Sequence, residues 1–348
     1  MNSNKRCPVC GSEKNSESLS DNTCKNCGFG NAYIRYFAGK KSYLAWLDTV
    51  ETARTKWKQL KRINFANSNC FCVGKNFIAY CDHSQKKIYI AYGNGMMAIE
   101  NNAVEISASE SNHAVLYADG TVKVFDSVNE YGQNNTNTWN NICHILSTPK
   151  CIYGITEEGN VVISGMPANS EISNWINIKS LKSGNIVSDE VFIMGLSENG
   201  QVTVSGAKNN EIAFNDVKSW KNIKRIVASR NCLVGLKSDG TVNFLGKEDD
   251  SRSLITKWTD IIEISSDNTF VYGLSRNGSI LIEGKTKAFL DKGRSSASWD
   301  SIIALSCNSV GIGAITESGD LRFKGSISGD LKVICGLWSD NIKPLIAF

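Results

Sequence analysis

Glycine recurs in this chain behind a polar residue at nearly even intervals. The pairs are Asp119-Gly120, Glu158-Gly159, Asn199-Gly200, Asp239-Gly240, Asn277-Gly278 and Ser318-Gly319, and successive glycines lie 39, 41, 40, 38 and 41 residues apart. Asp-Gly and Asn-Gly are strong hairpin signals, and the two-residue form of that turn puts both residues at positive φ. Two and four residues past each glycine stand apolar side chains: Val122/Val124, Val161/Ile163, Val202/Val204, Val242/Phe244, Ile280/Ile282 and Leu321/Phe323. That alternation predicts a strand with one face buried. An apolar run such as CIYGIT, VFIMGLS or FVYGLS precedes each turn. A further glycine stands at plus six in five units, at Gly165, Gly206, Gly246, Gly284 and Gly325, with Asp126 in its place in the other.

Tryptophan is also periodic. Trp139, Trp220, Trp258 and Trp299 each stand twenty residues before a turn glycine, with Ile142, Ile223, Ile261 and Ile302 three later. Trp175, with Ile178, stands twenty-five before, which places an insertion in that unit. A worn seventh copy lies at FIAYCDHSQKKIYIAYG, where Gln85-Lys86 replaces the glycine turn. Lysine at positive φ costs about 1–2 kcal/mol, so a different turn is expected there. The segment 338–348, WSDNIKPLIAF, reads as half a unit, as a ring needs if its last strand completes the first blade. Units of about forty residues, all β, predict a propeller. An open β-solenoid would need shorter rungs and terminal caps.

The phrase from Trp220 to Gly246, WKNIKRIVASRNCLVGLKSDGTVNFLG, resembles the repeat of the regulator of chromosome condensation family, and Tyr131-Gly132-Gln133 resembles its inter-repeat segment. The resemblance covers residues 63–348 and implies a seven-bladed β-propeller, here of a bacterial-like kind, whose two faces serve as binding surfaces. Eukaryotic members exchange guanine nucleotides on a small GTPase and touch chromatin, and some bacterial members grip other proteins. Exchange depends on loops outside the repeat phrase. No matching long insertion occurs here, so no exchange residue is assigned. The family's histidine before the Gly-Leu pair is mostly replaced: Cys151, Cys232 and Thr269 stand near that place, and His113 stands there in one unit.

The head of the chain is different. Cys7-Pro-Val-Cys10-Gly11 and Cys24-Lys-Asn-Cys27-Gly28 form C-x2-C-x13-C-x2-C. Each two-residue gap lets a pair of thiolates face one ion, and the pattern resembles a zinc ribbon over residues 1–32. Four protein ligands leave no position for a catalytic water, so the expected Zn²⁺ is structural. A segment this short has little core, and zinc would supply its stability, about 10 kcal/mol apparent. Residues 33–62 form the linker. In it Leu44, Leu47, Val50, Trp57 and Leu60 follow helical spacing, with acids early and bases late, as the helix dipole favours, which predicts an amphipathic helix over residues 41–62 joining head to body.

Residues 1–62 carry 12 Lys/Arg and 5 Asp/Glu, a net +7, while the remainder carries 26 and 29, a net −3; the two sum to the +4 of the whole chain. The chain opens without an apolar h-region, and no run of about 18 apolar residues occurs, so neither secretion nor membrane spanning is expected. Twelve cysteines then point to a reducing, cytoplasmic setting, with the eight body cysteines as buried thiols. His83, His113 and His144 lie in no metal spacing or nucleophile elbow, and no phosphate-cradling G-x-x-x-x-G-K-[ST] loop occurs. Glu157-Glu158 and Asp249-Asp250 read as solvated loop charge. The expected function is a non-catalytic scaffold that captures a protein partner on its faces and loops. Nucleic-acid association through residues 1–62 is the alternative, and nucleotide exchange on a small GTPase is the third reading.

Overall fold

A computed structural model describes residues 71–325, apart from 75–76, 83–84, 93–96, 110–111, 126–128, 186–190, 207–213, 247–249, 268, 285–298, 309–310 and 317–320. The four head cysteines, the helix expected across residues 41–62 and the half-unit at 338–348 lie outside the described residues.

The described residues are all-β and form seven antiparallel sheets. The first contains β1 (Phe71–Val73), β2 (Phe77–Asp82), β3 (Lys87–Tyr92) and β4 (Met97–Asn101). Six three-stranded sheets follow in chain order. They are β5–β7 (Ala103–Ala108, His113–Tyr117, Val122–Phe125), β8–β10 (Ile142–Thr148, Cys151–Thr156, Val161–Gly165) and β11–β13 (Ile178–Asn185, Val191–Ser197, Val202–Ser205). Then come β14–β16 (Ile223–Ser229, Cys232–Lys237, Val242–Gly246), β17–β19 (Ile261–Ser266, Phe270–Ser275, Ile280–Gly284) and β20–β22 (Ile302–Asn308, Gly311–Thr316, Leu321–Gly325). The first strand of each sheet meets the first strand of the next, from β5 through β20, and β1 meets both β20 and β5. All seven first strands therefore surround one axis. The four strands of the first sheet come from residues 71–101, so its inner strand is supplied locally.

Local chemistry explains the repeated hairpin, with one correction. Gly120, Gly159, Gly200, Gly240 and Gly278 have φ between +78° and +85°, but the residue before each does not have positive φ. Gly240 N–H donates to Lys237 O (3.1 Å) and Lys237 N–H to Thr241 O (2.9 Å). The connection is thus a three-residue turn whose glycine makes a bulge, not a two-residue turn. Asp and Asn precede the glycine for another reason: their side chains accept hydrogen bonds from beyond it. Asp239 Oδ1 accepts from Thr241 N–H (2.9 Å) and Oγ1 (2.7 Å), and Asp119 does the same with Thr121.

The worn copy is a second correction. Lys86 takes φ +52°, the conformation of the turn glycines. Its carbonyl accepts Ala103 N–H (2.9 Å) just as Gly120 O accepts Ile142 N–H (3.2 Å). That bond between sheets offsets the left-handed cost, and the turn keeps its conformation.

A matching left-handed residue precedes each later inner strand: Asn102, Asn141, Asn177, Asn222, Asp260 and Ser301, with φ between +53° and +62°. The next residue donates to the left-handed turn residue of the preceding sheet, as Ile178 N–H does to Gly159 O (2.9 Å). Its own carbonyl accepts from the turn of its own sheet, as Asn141 O does from Glu157 N–H (2.8 Å). Consecutive sheets are thereby stapled at one end of the ring, called here the turn face.

The core lies between sheets. Val122, Val161, Val202, Val242 and Ile280, two residues past each turn, are buried as the alternation requires. Trp139, Trp175, Trp220 and Trp258 lie over Gly154, Gly195, Gly235 and Gly273 in the middle strand of their own sheets. Ile106 and Val115 of the second sheet and Ala304 and Ile315 of the seventh share one apolar cluster with the first sheet.

Candidate functional site

Each inner strand from β5 to β20 begins with the same irregularity. Pairing shifts between Ile178 and Ser180, for example, and between Ile223 and Arg225, leaving one extra residue on the inner strand. The same shift occurs at 103/105, 142/144, 261/263 and 302/304. A bulge re-aims the residue it expels. The six extra residues are Val104, Cys143, Lys179, Lys224, Ile262 and Ile303, at the turn-face end of the inner strands. At two junctions the residues after the bulges pair across neighbouring inner strands: His144 Nδ1 lies 2.7 Å from Glu105 Oε1, and Arg225 Nε lies 3.2 Å from Glu263 Oε2. His144 Nε2 is buried and has no hydrogen-bond partner among the described residues.

Around this ring the exposed charge is uneven. Asp119, Glu157 and Glu158 mark the second and third sheets, where the expelled residues are Val104 and Cys143. The fourth to sixth carry exposed Lys221 and Arg276 and half-buried Lys179 and Lys224, beside exposed Glu198, Asp239 and Asp260. The Lys224 ammonium is held below its usual pKa by partial burial, and then by the positive charges of Arg225 and Arg276.

At the opposite end, strands are joined by side chains to backbone. Ser147 N–H donates to Ser107 Oγ (2.9 Å), and Ser147 Oγ donates to Ser107 O (3.0 Å). Ser266 Oγ donates to Ala228 O (2.9 Å). A buried ionic network sits nearby, and it corrects the reading of Asp250 as solvated charge. Asp250 caps the short 3-10 turn Ser251–Lys257 by accepting Arg252 N–H (3.1 Å). Its carboxylate also takes Arg252 Nε (2.9 and 3.0 Å) and Nη2, and Arg252 Nη1 donates to Ser229 Oγ (3.2 Å). Ser229 Oγ in turn donates to Asp267 O. Arg252 is 0% exposed and Asp250 3%. An i to i+2 pair in a polar loop carries no periodic signal, so sequence reasoning missed it.

Of the other residues singled out by sequence, His113 is buried and stacks on Phe125 (5.2 Å between centroids) and against Phe77 (5.0 Å). Glu157 and Glu158 are exposed turn residues. Cys81, Cys151 and Cys232 are buried thiols, but Cys143 is exposed, because its bulge expels it. His83 and the zinc ligands Cys7, Cys10, Cys24 and Cys27 lie outside the described residues. Among the described residues no cluster of His, Cys, Asp or Glu could hold a metal ion, and no helix is long and apolar enough to cross a membrane.

No family model matches the chain, and no curated protein matches it. Solved structures do. The CRINKLY WD40 ectodomain of the Arabidopsis thaliana receptor kinase ACR4 is similar at 12% identity and TM-score 0.53, over 76% of this chain and 95% of that one. Prp20p from Saccharomyces cerevisiae, described with its binding properties toward Gsp1p and histones, is similar at 12% identity and TM-score 0.50, over 78% and 84%. Yeast RCC1 (Prp20) in complex with Kap60 is similar at 13% identity and TM-score 0.51, over 78% and 81%. At these identities the likeness is one of fold. The chain is a β-propeller.

Proposed function

We propose that this chain is a non-catalytic binding scaffold: a closed ring of seven blades that captures a protein partner on its faces and loops. A zinc ribbon at residues 1–32, held by Cys7, Cys10, Cys24 and Cys27, serves as an auxiliary interaction module, and residues 33–62 join it to the ring. The observation that carries the reading is the contrast between repeated and unrepeated positions. Turn residues, left-handed residues and tryptophans recur from blade to blade, and their groups are spent inside the frame. The extra residue at each bulge varies: Cys143 is exposed, Lys179 and Lys224 are half-buried, and Val104, Ile262 and Ile303 pack partly against apolar clusters. A constant frame with variable projecting groups is a common binding arrangement. The RCC1 neighbours described with Kap60, Gsp1p and histones are consistent with such a role.

The test is photo-crosslinking in the native cell, with a crosslinker installed in turn at Lys224 and at Lys150, on opposite faces. One protein crosslinked reproducibly above background from a propeller position supports the reading. Background labelling alone from both positions argues against it. The +7 charge of residues 1–62 favours a second reading, association with nucleic acid, whose affinity would fall steeply with salt. The RCC1 neighbours also fit an exchange factor, which nucleotide release from candidate small GTPases would separate from both.

A further inference from the structure

We infer that the basic segment 41–62 of this chain docks on its own ring, across the turn face of the second to fourth sheets. The inference goes beyond the scaffold reading and stands without it.

Chain direction fixes where the segment emerges. β2 runs toward the Lys86 turn, and β1 pairs with it antiparallel, from Phe71↔Tyr80 to Val73↔Ile78. The chain therefore enters β1 from the turn face. β1 meets β5, and β5 meets β8, so the second and third sheets lie next to that entry. Only residues 63–70 separate Arg62 from Phe71, and so short a stretch spans about 30 Å at most.

Charge then selects the landing. Arg54, Lys56, Lys58, Lys61 and Arg62 are the charged residues of the segment's end nearest the ring, and no acid stands among them. On the turn face Asp119, Glu157, Glu158 and Glu198 are exposed, and Glu105 is half-buried beside His144. Lys179 is the one lysine or arginine among the described turn, left-handed and bulge residues of these three sheets, and it lies 4.0 Å from Glu198. No described cation pairs with Asp119, Glu157 or Glu158. The Cys143 thiol registers the excess. It is pushed above its usual pKa by partial burial, and then by Glu105, Glu157 and Glu198, one carboxylate from each of the three sheets. The other turns suit a basic segment less well. Lys86 and Lys87 mark the first sheet, and the fifth and sixth mix Lys221, Lys224 and Arg276 with Asp239 and Asp260.

Apolar surface lies inside the acidic sector. Ile176 is 63% exposed. It precedes Asn177, whose main chain abuts Gly159 of the Glu157-Glu158 turn and whose carbonyl accepts Glu198 N–H (3.1 Å). Ile176 therefore stands between two acidic turns. Acids around an exposed isoleucine match a segment that carries its bases around Trp57 and Leu60.

The test uses the full chain with a photo-crosslinking residue at exposed Asn160, next to Gly159, or at Lys150 on the opposite face, and mass spectrometry of the monomer fraction. Asn160 should link to peptides within residues 41–62, and Lys150 should not. The link should weaken with added salt, which tests the charge without any variant. It should fall about tenfold or more in Glu157→Lys/Glu158→Lys, and Arg54→Glu/Lys58→Glu in that background should restore part of it. An unaltered thermal midpoint shows that the variants fold. No link from Asn160 to the segment, equal links from Lys150, or a link indifferent to salt and to charge reversal would each overturn the inference. Links found only between two chains would overturn it as well.

Discussion

The carbonyl of Gly240 accepts the amide of Ile261, from the next blade, at 3.1 Å. The bond exists because Gly240 has φ +85° and because Asp260, just before Ile261, is also left-handed at φ +57°. A Cβ on Gly240 would sit 3.2 Å from Ile261 N, and one on Gly120 would sit 2.7 Å from Asn141 N. Gly240→Ala should cost about 1–2 kcal/mol from the left-handed backbone alone. Gly120→Ala should cost more, because main chain cannot swing aside. Asn222→Gly keeps the conformation open and should change stability by less than about 0.5 kcal/mol. Urea denaturation of the three variants checks the order. A loss at Asn222 as large as at Gly120 would contradict the staple.

Gly235 and Trp220 carry the second prediction. Trp220 is 7% exposed, and a Cβ on Gly235 would lie 2.8 Å from its Cε3 and Cζ3. Gly235→Ala overpacks that contact and should cost about 1–3 kcal/mol. Trp220→Ala leaves a cavity and should cost about 3–5 kcal/mol. With the indole gone, the added methyl has room, so the double variant should lose clearly less than the sum. Strict additivity would show that the ring does not rest on the glycine.

Much of this fold was legible because its constraints are periodic. Turn glycines, the Val/Ile alternation after them and the tryptophans repeat at about forty residues, and each repeat marked a real hairpin. The inner strand was harder to read. ICHILST and IKRIVAS carry a bulge that breaks the alternation after their first residue, so they do not show a clean two-residue period. The left-handed Asn141, Asn177 and Asn222 stood in plain sight between Trp and Ile, but an isolated Asn signals φ only once its hydrogen-bond partners are known. For the same reason the bulge residues that line the candidate surface were invisible as a set. Cys143, Lys179 and Ile262 share a backbone position and no chemistry.

Asp250 and Arg252 test how a buried ion pair behaves in this frame. Asp250→Ala strands a guanidinium that is fully enclosed, and should cost about 3–5 kcal/mol. Asp250→Leu together with Arg252→Met removes both charges at similar volume. It should cost less than Asp250→Ala alone, although Ser229 loses one partner. Thermal unfolding ranks the two. A double variant less stable than Asp250→Ala would mean that the pair stabilises the blade beyond mutual compensation.

Acid titration separates two aspartates by sign. Donation from Thr241 Oγ1 and N–H holds the exposed Asp239 carboxyl below its ordinary value. Its contribution is therefore present above the unfolded carboxylate pKa and is lost as pH falls through the lower folded one. Burial pushes Asp267 the other way, against the hydrogen bonds from Phe270 and Thr269 N–H. Its contribution is present below the unfolded value and is lost as pH rises through the higher folded one. The gap between the parent chain and Asp239→Ala should therefore narrow on acidification, while Asp267→Asn should gain on the parent as pH rises across the carboxylate range. Denaturant midpoints measured from acid to neutral pH decide it, and parallel curves for all three proteins would contradict both assignments.

Metal content is the last prediction, and the described cysteines make it interpretable. Burial raises the Cys151 thiol to about 12 and pushes Cys307 well above its usual value, so both are protonated and poor zinc ligands at neutral pH. Cys7, Cys10, Cys24 and Cys27 have the paired spacing that brings thiolates to one ion. Carefully purified protein should hold one zinc per chain by elemental analysis, and Cys24→Ser/Cys27→Ser should hold almost none. The thermal midpoint of the propeller should not move in that variant, because among the described residues of the blades no cluster of His, Cys, Asp or Glu could hold the metal. A ratio far below one in the parent removes the zinc assignment, and zinc retained by the variant would place the metal on other residues.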